Sequence, residues 1–599
     1  MFVASRFFTA GGAISIRNIY YPDNNGNILR AQLYLPKGIS ATKPVPGIVN
    51  MHGGGDNLEC VSNFSVELAR RGYVVLSVDA YGSGFSDYVS GVVATAAGGS
   101  AKTSATTTRM DGGATISLQQ MLSYDFVDQK SIGLIGHSMG GSYIANAALA
   151  YPDRVKAIMP WGSGSFLDLI KRVDPDEFKF SVGFIDAKSD EMIVYATKLD
   201  NTEKLLQQDF LKKFFKTDRD IVANRVYGSF EAKSARVIYT PSTNHAGNLI
   251  SHESISDLID FFESAMPTDC SLGDSDQVWQ YKEAFDALAI IALLCFIVSM
   301  GYVLLSGKLF SSLRIKSPKT VKMSGIVQWT GIVVLVAIPM FTLYSVGLPL
   351  TTIKASRFFP MGWGNYFAWL GGVNAAIILT LFLVWHFVYG KKHGGNFQNY
   401  GLSIESEGYG GKSLQVVKSI GFAICIICSV YVVISICYSL FNIDFRVWLF
   451  AMKPITAERL ECICGYLLMF LLVLGVLNMA SISFAGLSAD DTTRWGVAKQ
   501  YAIGWAIGAA GYTIILLIYY IGLDANHYPP FFIGYGPFPN GHPNSLAFSM
   551  KLTSAVPQFT FASIINMAFY RKTRNIYVGL FTAALLLAMI AVTGNAFTY

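Results

Sequence analysis

The stretch that decides the fold is residues 131–140, SIGLIGHSMG, which is followed by a helix-like segment at 142–150. It places the spacing G-x-S-x-G between a short apolar strand and a helix. A serine on a tight strand-to-helix turn has a strained backbone, and glycines two residues away on each side leave room for that turn. The hydroxyl is then exposed beside outward-facing backbone N–H groups. We therefore predict that Ser138 is a nucleophile.

The chain around this turn alternates short β-rich runs with helix-like stretches. Residues 45–51 (VPGIVNM) and 73–79 (YVVLSVD) have the composition of buried strands, and residues 64–71 between them have a helical pattern. This alternation is typical of an α/β domain built on a mostly parallel sheet. We predict a doubly wound α/β domain over residues 1–268.

A glycine-rich loop follows the first of these strands, at residues 52–55 (HGGG). Such a loop can present backbone N–H groups to an oxyanion that develops during acyl transfer. We expect the amides of Gly54 and Met139 to be the donors, and we expect His52 to shape the loop. The alternative is a flexible turn without a catalytic role.

A nucleophilic serine needs a base, and in this type of sheet the histidine comes last along the chain. Our candidate is His245, in the loop after the strand-like residues 235–240 (ARVIYT). His252, at the start of a helix, is the alternative, and there a capping role is the simpler interpretation.

The acid that orients the histidine should follow the penultimate strand, for which residues 180–185 (FSVGFI) are the candidate. We select Asp190, because an acid in the loop shortly after that strand can reach the histidine loop. Asp186, directly after the strand, and Asp200 remain alternatives.

Together these motifs resemble the α/β-hydrolase superfamily, in particular its dienelactone-hydrolase-like and esterase- or lipase-like members. The resemblance covers roughly residues 15–265 and rests on residues 52–55, 79–86, 127–128 and 136–141, and on His245. It implies a serine hydrolase with an acyl-enzyme intermediate and with no metal or organic cofactor. Members often carry a cap after strand six, and only residues 162–179 are available for one here, so the built-in cap should be small.

The second half of the chain has a different composition. Residues 1–280 carry 25 basic and 30 acidic side chains, whereas residues 281–599 carry 21 and 10, so the positive charge points to membrane topology rather than to a nucleic-acid partner. The eight cysteines have no zinc or disulfide pattern. Apolar runs of about 20 residues recur, each long enough to cross a bilayer as a helix.

We predict an all-α transmembrane domain over residues 285–599, joined to the first domain by a linker at 269–284. Its eight spans lie at 285–306, 325–349, 366–390, 419–441, 460–483, 500–523, 546–570 and 576–599. The seventh is the weakest, because Lys551 and Pro557 interrupt it, and it is a candidate re-entrant segment.

Basic residues in short loops predict the orientation of such a protein. The loops after spans one, three, five and seven hold fourteen Lys and Arg residues, among them Lys319 and Lys322. The alternate loops hold five, which are Lys354, Arg357, Arg446, Lys453 and Arg459. We expect the loops with more basic residues to be cytoplasmic. The first domain and the C-terminus should then lie on the outer side of the cytoplasmic (plasma) membrane.

Residues 1–17 have the pattern of neither a signal peptide nor a signal anchor. We therefore expect an anchor upstream, and an inverted topology is the alternative.

The sequence as a whole predicts a membrane-anchored serine hydrolase that acts on a carboxylic ester or an amphiphilic small molecule. A peptidase or an acyltransferase could use the same triad. A transporter or receptor with a hydrolase-like binding module is the alternative from another class, and the scarcity of ionisable residues deep in the spans argues against it. Two outer loops, residues 442–448 and 524–543, are rich in aromatics and form either an interfacial belt or a cover beside the hydrolase mouth.

Overall fold

The computed structural model describes residues 1–89, 111–199, 201–316, 321, 323–346, 353, 355–403, 411–484, 492–527 and 552–598. Some predicted features lie outside these residues. They are Asp200, Lys319, Lys322, Lys354, most of the aromatic loop at 524–543 and the start of the seventh span. Within the described residues, an α/β domain is followed by a bundle of long helices.

The α/β domain is built on one mostly parallel sheet, as predicted. Its described strands are β1 (Ile14–Pro22), β2 (Ile28–Pro36), β3 (Val45–Met51), β4 (Val74–Val78), β5 (Val127–His137), β6 (Ala157–Trp161), β7 (Ser181–Ile185) and β8 (Arg236–Tyr239). They lie in the order β1-β2-β4-β3-β5-β6-β7-β8, and β2 pairs antiparallel with both of its neighbours. The remaining pairs are parallel.

Helices cover both faces of the sheet, so the central strands are buried on both sides and are apolar throughout. The helices are α1 (Phe2–Phe8), α2 (Ser62–Arg70), α3 (Ala114–Leu122), α4 (Met139–Ala150), α5 (Gly164–Ile170), α6 (Glu191–Thr197), α7 (Asp209–Phe215) and α8 (His252–Ala265). Successive strand residues point to opposite faces. Val49 and Leu76 therefore belong to one apolar core, and their neighbours Ile48 and Val75 belong to the other.

The second domain consists mainly of long helices. They are α9 (Trp279–Ser306), α10 (Gly325–Ser345), α11 (Gly362–Val388), α12 (Gly411–Phe441), the short α13 (Ala457–Glu461), α14 (Ile463–Phe484), α15 (Arg494–Trp505), α16 (Gly511–Asn526), α17 (Leu552–Thr573) and α18 (Ile576–Thr593). A π-helical turn, Ala506–Ala510, joins α15 to α16. The strands β9 (Phe445–Val447) and β10 (Phe450–Met452) form a hairpin between α12 and α13.

Seven spans of the described chain are long and apolar enough to cross a membrane, one fewer than predicted. The remaining predicted span contains α17, which has 22 residues with Pro557 inside it and is less apolar. A helix of this length is about 33 Å long, enough to cross the hydrocarbon core. Much of α17 is buried in the bundle, which explains how it accommodates polar residues such as Gln558 and Asn566.

The predicted basic loops lie at the end of the bundle away from the α/β domain. There the Gln415 amide donates to the Ser312 carbonyl at 3.0 Å, and the Ile315 backbone donates to the Thr573 carbonyl at 2.8 Å. At the opposite end, the Trp279 backbone donates to Glu67 of α2 at 3.1 Å. The helix ends near the α/β domain therefore belong to the other set of loops.

A buried charge cluster joins the two domains. Glu59, shortly after β3, accepts hydrogen bonds from Arg30 of β2 at 2.8 Å, Lys453 of the membrane domain at 2.8 Å and Tyr438 of α12 at 3.0 Å. Arg30 also pairs with Asp79 at 3.0 Å. Burial would raise the pKa of Glu59, but Lys453 and Arg30 hold it well below its usual value. The carboxylate is therefore charged and fully engaged.

Two more cations of the membrane domain are buried at this interface. Arg446 pairs with Asp444 at 2.8 Å and donates to Asn57 at 2.7 Å. Arg459 donates to the Gly82 carbonyl at 3.2 Å. Arg446, Lys453 and Arg459 are three of the five cations in the loops that hold few basic residues. All three are buried against the α/β domain, whereas the loops with many basic residues lie at the far end of the bundle.

We expect Glu59→Gln to destabilise the protein, because it leaves the buried Lys453 ammonium without its counter-charge. Breaking a buried ion pair on one side costs about 3–5 kcal/mol. Thermal unfolding of the full chain in detergent should show a clearly lowered Tm. The matched control is Asp269→Asn, which removes a pair with Lys43 in which both side chains are largely exposed. An unchanged Tm for Glu59→Gln would contradict this account of the interface.

Candidate active site

Ser138 lies on the turn between β5 and α4 and has φ 52° and ψ −115°. A positive φ is strained for any residue with a side chain and is found at functional turns of this type. The flanking glycines are required by space: a Cβ on Gly136 would lie 2.3 Å from the Gly140 carbonyl oxygen, and one on Gly140 would lie 2.5 Å from the Met51 carbonyl oxygen. The local geometry is the one expected from the sequence.

The structure brings His245 and Asp190 together. The Nδ1–H group of His245 faces both carboxylate oxygens of Asp190, at 3.0 and 3.1 Å. Asp190 also caps α6 and accepts from the backbone N–H groups of Met192 at 2.9 Å and Ile193 at 3.1 Å, which fixes its carboxylate. Burial disfavours a charged imidazole, yet the Asp190 carboxylate outweighs this effect and raises the pKa of His245.

Ser138 and the His245–Asp190 pair both lie at the carboxyl edge of the sheet, and residues 161 and 162 connect them. The backbone N–H of Ser138 donates to the Trp161 carbonyl at 2.8 Å, at the end of β6. The next residue, Gly162, has φ 57°, and a Cβ there would lie 3.1 Å from His245 Nδ1 and 3.0 Å from Asp190 Oδ2. Gly162 therefore lies against the His–Asp pair, and a side chain there would crowd the pair.

The two predicted oxyanion donors are neighbours. A Cβ on Gly54 would lie 2.9 Å from Met139 Cε, and one on Gly53 would lie 3.2 Å from Ser138 Cβ. Met139 is the first residue of α4, so its N–H has no acceptor within the helix. His52 holds the loop in place, as predicted, because its Nδ1 contacts the Gly53 carbonyl at 2.7 Å and its Nε2 accepts from the Ala80 backbone at 3.0 Å.

The alternative acid and base are placed differently. Asp186 is buried, and among the described residues its carboxyl oxygens have no hydrogen-bond partner. Burial and then the nearby Asp190 raise the pKa of Asp186 well above its usual value, which favours the neutral acid. His252 is exposed at the start of α8, where its ring contacts the Ser275 carbonyl at 3.2 Å. The geometry favours Asp190 and His245.

Sequence reasoning missed Glu191 and His137 as parts of the site. A carboxylate oxygen of Glu191 accepts from the His245 backbone N–H at 3.0 Å, and burial raises the pKa of Glu191 to about 7. The His137 ring packs 4.9 Å from the His245 ring, and burial lowers the pKa of His137 well below its usual value. Glu191 directly follows Asp190 in the chain, but no pattern indicates that it supports the histidine loop.

The membrane domain covers the catalytic loops. Ser189, next to the acid, is hydrogen-bonded to His527 at 2.9 Å, at the end of α16. The Trp448 indole donates to the Ala246 carbonyl, beside the histidine, at 2.6 Å. The loop at 442–448 therefore lies beside the histidine loop, as expected for a cover next to the hydrolase mouth. Of the loop at 524–543, only the first residues are described, and His527 is among them.

In the described part of the chain, no group of three or more His, Cys, Asp or Glu side chains is arranged to hold a metal ion. Residues 42–178 match the family model described as "Serine aminopeptidase, S33". No curated protein sequence matches the chain. The sheet order and this match identify the first domain as an α/β-hydrolase domain, which is followed by a helical region with membrane-spanning character.

Several solved structures are similar to the hydrolase domain. A dienelactone hydrolase-like promiscuous phosphotriesterase from metagenomic libraries is 16% identical, with a TM-score of 0.29, and the match covers 42% of this chain and 97% of that one. Est1E from Butyrivibrio proteoclasticus, with ferulic acid bound, is 18% identical, with a TM-score of 0.27, over 38% of this chain and 90% of that one. A predicted CIB-like hydrolase from Thermoplasma acidophilum is 14% identical, with a TM-score of 0.27, and the match covers 41% of this chain and 96% of that one.

Asp190→Asn should reduce kcat for p-nitrophenyl acetate by roughly 10³–10⁴-fold, because the amide no longer stabilises the imidazolium or selects its tautomer. Asn still caps a helix well, so α6 should persist. Asp186→Asn is the matched control: it replaces a buried carboxyl that favours its neutral form, and most activity should remain. If Asp186→Asn lost much more activity than Asp190→Asn, the orienting acid would be Asp186.

Glu191→Gln should move the acid limb of the kcat/KM profile to lower pH. His245 acts as a base only when neutral, so activity falls as the pH drops through its pKa. The ionised Glu191 carboxylate contributes to raising that pKa, and because burial raises the pKa of Glu191 itself to about 7, the expected shift is small. The amide oxygen of Gln can still accept the His245 backbone hydrogen bond. Glu177→Gln, at an exposed carboxylate, should leave the profile unchanged. A shift to higher pH would contradict the assigned role.

Proposed function

We propose that the protein is a membrane-anchored serine esterase that cleaves a carboxylic ester of an amphiphilic small molecule. The observation that carries the proposal is the strained Ser138 turn next to the buried His245–Asp190 pair, with Gly54 and Met139 on the other side of the serine. A serine, a base oriented by an acid, and two backbone donors are what acyl transfer requires.

The proposed reaction runs through a covalent acyl-enzyme. Ser138 Oγ attacks the ester carbonyl while His245 Nε2 takes the hydroxyl proton, and the amides of Gly54 and Met139 stabilise the oxyanion. His245 then gives the proton to the leaving alcohol as the tetrahedral intermediate collapses. A water molecule, activated by the same histidine, releases the acid and restores the serine. Asp190 holds the imidazole with Nδ1–H toward itself and balances its charge during both steps.

The position of the membrane domain supports an amphiphilic substrate. Among the described residues, the segment between β6 and β7 provides only the short helix α5 and a 3₁₀ turn as a cap. Trp448 and His527 of the membrane domain contact the catalytic loops as well. We infer that a substrate reaches the serine along the membrane domain. The basic loops at the far end of the bundle support a hydrolase domain on the outer side of the membrane.

Ser138→Ala should abolish labelling of the full chain by a fluorophosphonate probe and lower ester hydrolysis by roughly 10⁴-fold or more, because no nucleophile remains. Ser142→Ala, one turn further along α4, is the control and should be labelled like the unmodified chain. Equal labelling of Ser138→Ala and the unmodified chain would refute the proposal.

Product analysis separates the esterase from the enzymes that share its triad. Free acid should form whether or not a membrane-embedded alcohol or amine is present. An acylated membrane acceptor as the main product would instead indicate an acyltransferase, and efficient cleavage of peptide bonds would indicate a peptidase.

A further inference from the structure

The first helix of the hydrolase domain, α1, packs against two membrane-spanning helices. The Phe7 ring of α1 stacks on the Tyr281 ring of α9, with 5.0 Å between the centroids, and lies 6.0 Å from the Phe285 ring of the same helix. The Phe2 ring lies 6.3 Å from the ring of Phe441, the last residue of α12. α1 therefore bridges two spans at the ends that lie next to the hydrolase domain.

One face of α1 belongs to the core of the hydrolase domain. Ala4 and Phe8 are buried there, and they share a helix face because they are four residues apart. The Phe8 ring meets the Tyr34 ring of β2 edge-on, with centroids 5.8 Å apart. The position of α1 is thus fixed by the sheet on one side and by the two spans on another.

The opposite face of α1 carries Phe2, Val3 and Arg6, and all three side chains are exposed. Phe2 is 67% exposed and Val3 is 42% exposed. Single exposed apolar residues are common on protein surfaces, but these two are adjacent and lie beside spans. Arg6 shares their face, and an arginine can keep its apolar stem beside hydrocarbon while its guanidinium reaches the polar headgroups.

The charges of α9 indicate the level of the membrane boundary. Lys282, Glu283 and Asp286 lie near the start of the helix, and residues 287–306 include no charged side chain. Because charged residues are costly in the hydrocarbon core, the core should begin near residue 287. The two rings that Phe7 contacts precede this point, and aromatic residues are enriched at such boundaries. α1 therefore lies at the level of the lipid headgroups.

The surfaces next to α1 continue into faces that contact lipid. Tyr281, Phe285 and Leu288 are spaced by four and three residues, so they lie on one face of α9. Leu288 is 58% exposed within this span, where exposed side chains face lipid. On α12, Leu440 is 68% exposed and directly precedes Phe441. The exposed side chains of α1 therefore extend an apolar surface that begins on the spans.

We propose that α1 is an interfacial helix, whose Phe2 and Val3 side chains insert into the phospholipid bilayer on the membrane face next to the hydrolase domain. Since Ala4 and Phe8 of the same helix belong to the hydrolase core, this contact holds the hydrolase domain against the membrane in addition to the Glu59 cluster. The inference depends on the spans and not on the reaction proposed for Ser138.

The test measures the surroundings of α1 in a bilayer. The full chain is reconstituted in phospholipid nanodiscs, and an environment-sensitive fluorescent amino acid is introduced by codon suppression at Val3 or, in a separate sample, at Phe2. Quenching is measured with iodide, which stays in water, and with phospholipids that carry a spin label close to the headgroup. Leu288 is the reference position within the membrane.

Val226 is the matched reference position in water. It is an exposed valine like Val3, and it precedes Tyr227, whose backbone pairs with Arg236. Arg236 is the first residue of β8, so Val226 lies at the amino edge of the sheet. The membrane domain contacts the carboxyl edge, at Ser189 and Ala246.

The probes at Val3 and Phe2 should lose fluorescence with the spin-labelled lipid and respond little to iodide, because an interfacial helix buries its apolar side chains about 5–10 Å into the boundary of headgroups and acyl chains. The probe at Val226 should respond to iodide and not to the lipid label. The probe at Leu288 should respond most strongly to labels placed deeper in the acyl chain.

The unmodified chain provides a second measurement that needs no variant. A phospholipid with a diazirine next to its glycerol should crosslink to residues 2–7 and not to residues 222–226. If the probes at Val3 and Phe2 respond like the probe at Val226, or if the unmodified chain shows no crosslink within residues 2–7, the inference is wrong. Neither result would bear on the proposed esterase.

Discussion

The interaction on which the rest of the structure depends is the buried contact of Glu59 with Arg30, Lys453 and Tyr438. Two of these partners belong to the membrane domain and one to the sheet, so this carboxylate ties the two domains together. Glu59 follows the glycine-rich loop at residues 52–55 by only a few residues. Since each charge is desolvated, a partial contact would be costly, and the cluster favours one arrangement of the two domains.

This arrangement of the two domains brings the membrane domain over an α/β-hydrolase domain that has only a small cap of its own. Contacts of the membrane domain reach the acid loop at Ser189, the histidine loop at Ala246 and the segment after the glycine loop at Asn57. All three loops lie at the carboxyl edge of the sheet, where ligands bind in folds of this kind. The helix bundle therefore contacts the loops that carry the candidate site, in addition to its membrane-spanning character.

Much of this could be predicted from the sequence, because the deciding patterns are local. The strand at 45–51 was predicted with the bounds it has, and the turn around Ser138 requires only neighbouring glycines. The other features depend on contacts between distant residues, such as Glu59 with Lys453, and such contacts leave no periodic pattern. The polarity of α17 is another case, because a helix buried among other helices need not be as apolar as one that faces lipid.

The most direct test of the central claim is a structure of the full chain after reaction with a fluorophosphonate. We predict phosphorus bonded to Ser138 Oγ and a phosphoryl oxygen within hydrogen-bond distance of the Gly54 and Met139 amides. An adduct on another residue, or a phosphoryl oxygen out of reach of both amides, would contradict the account.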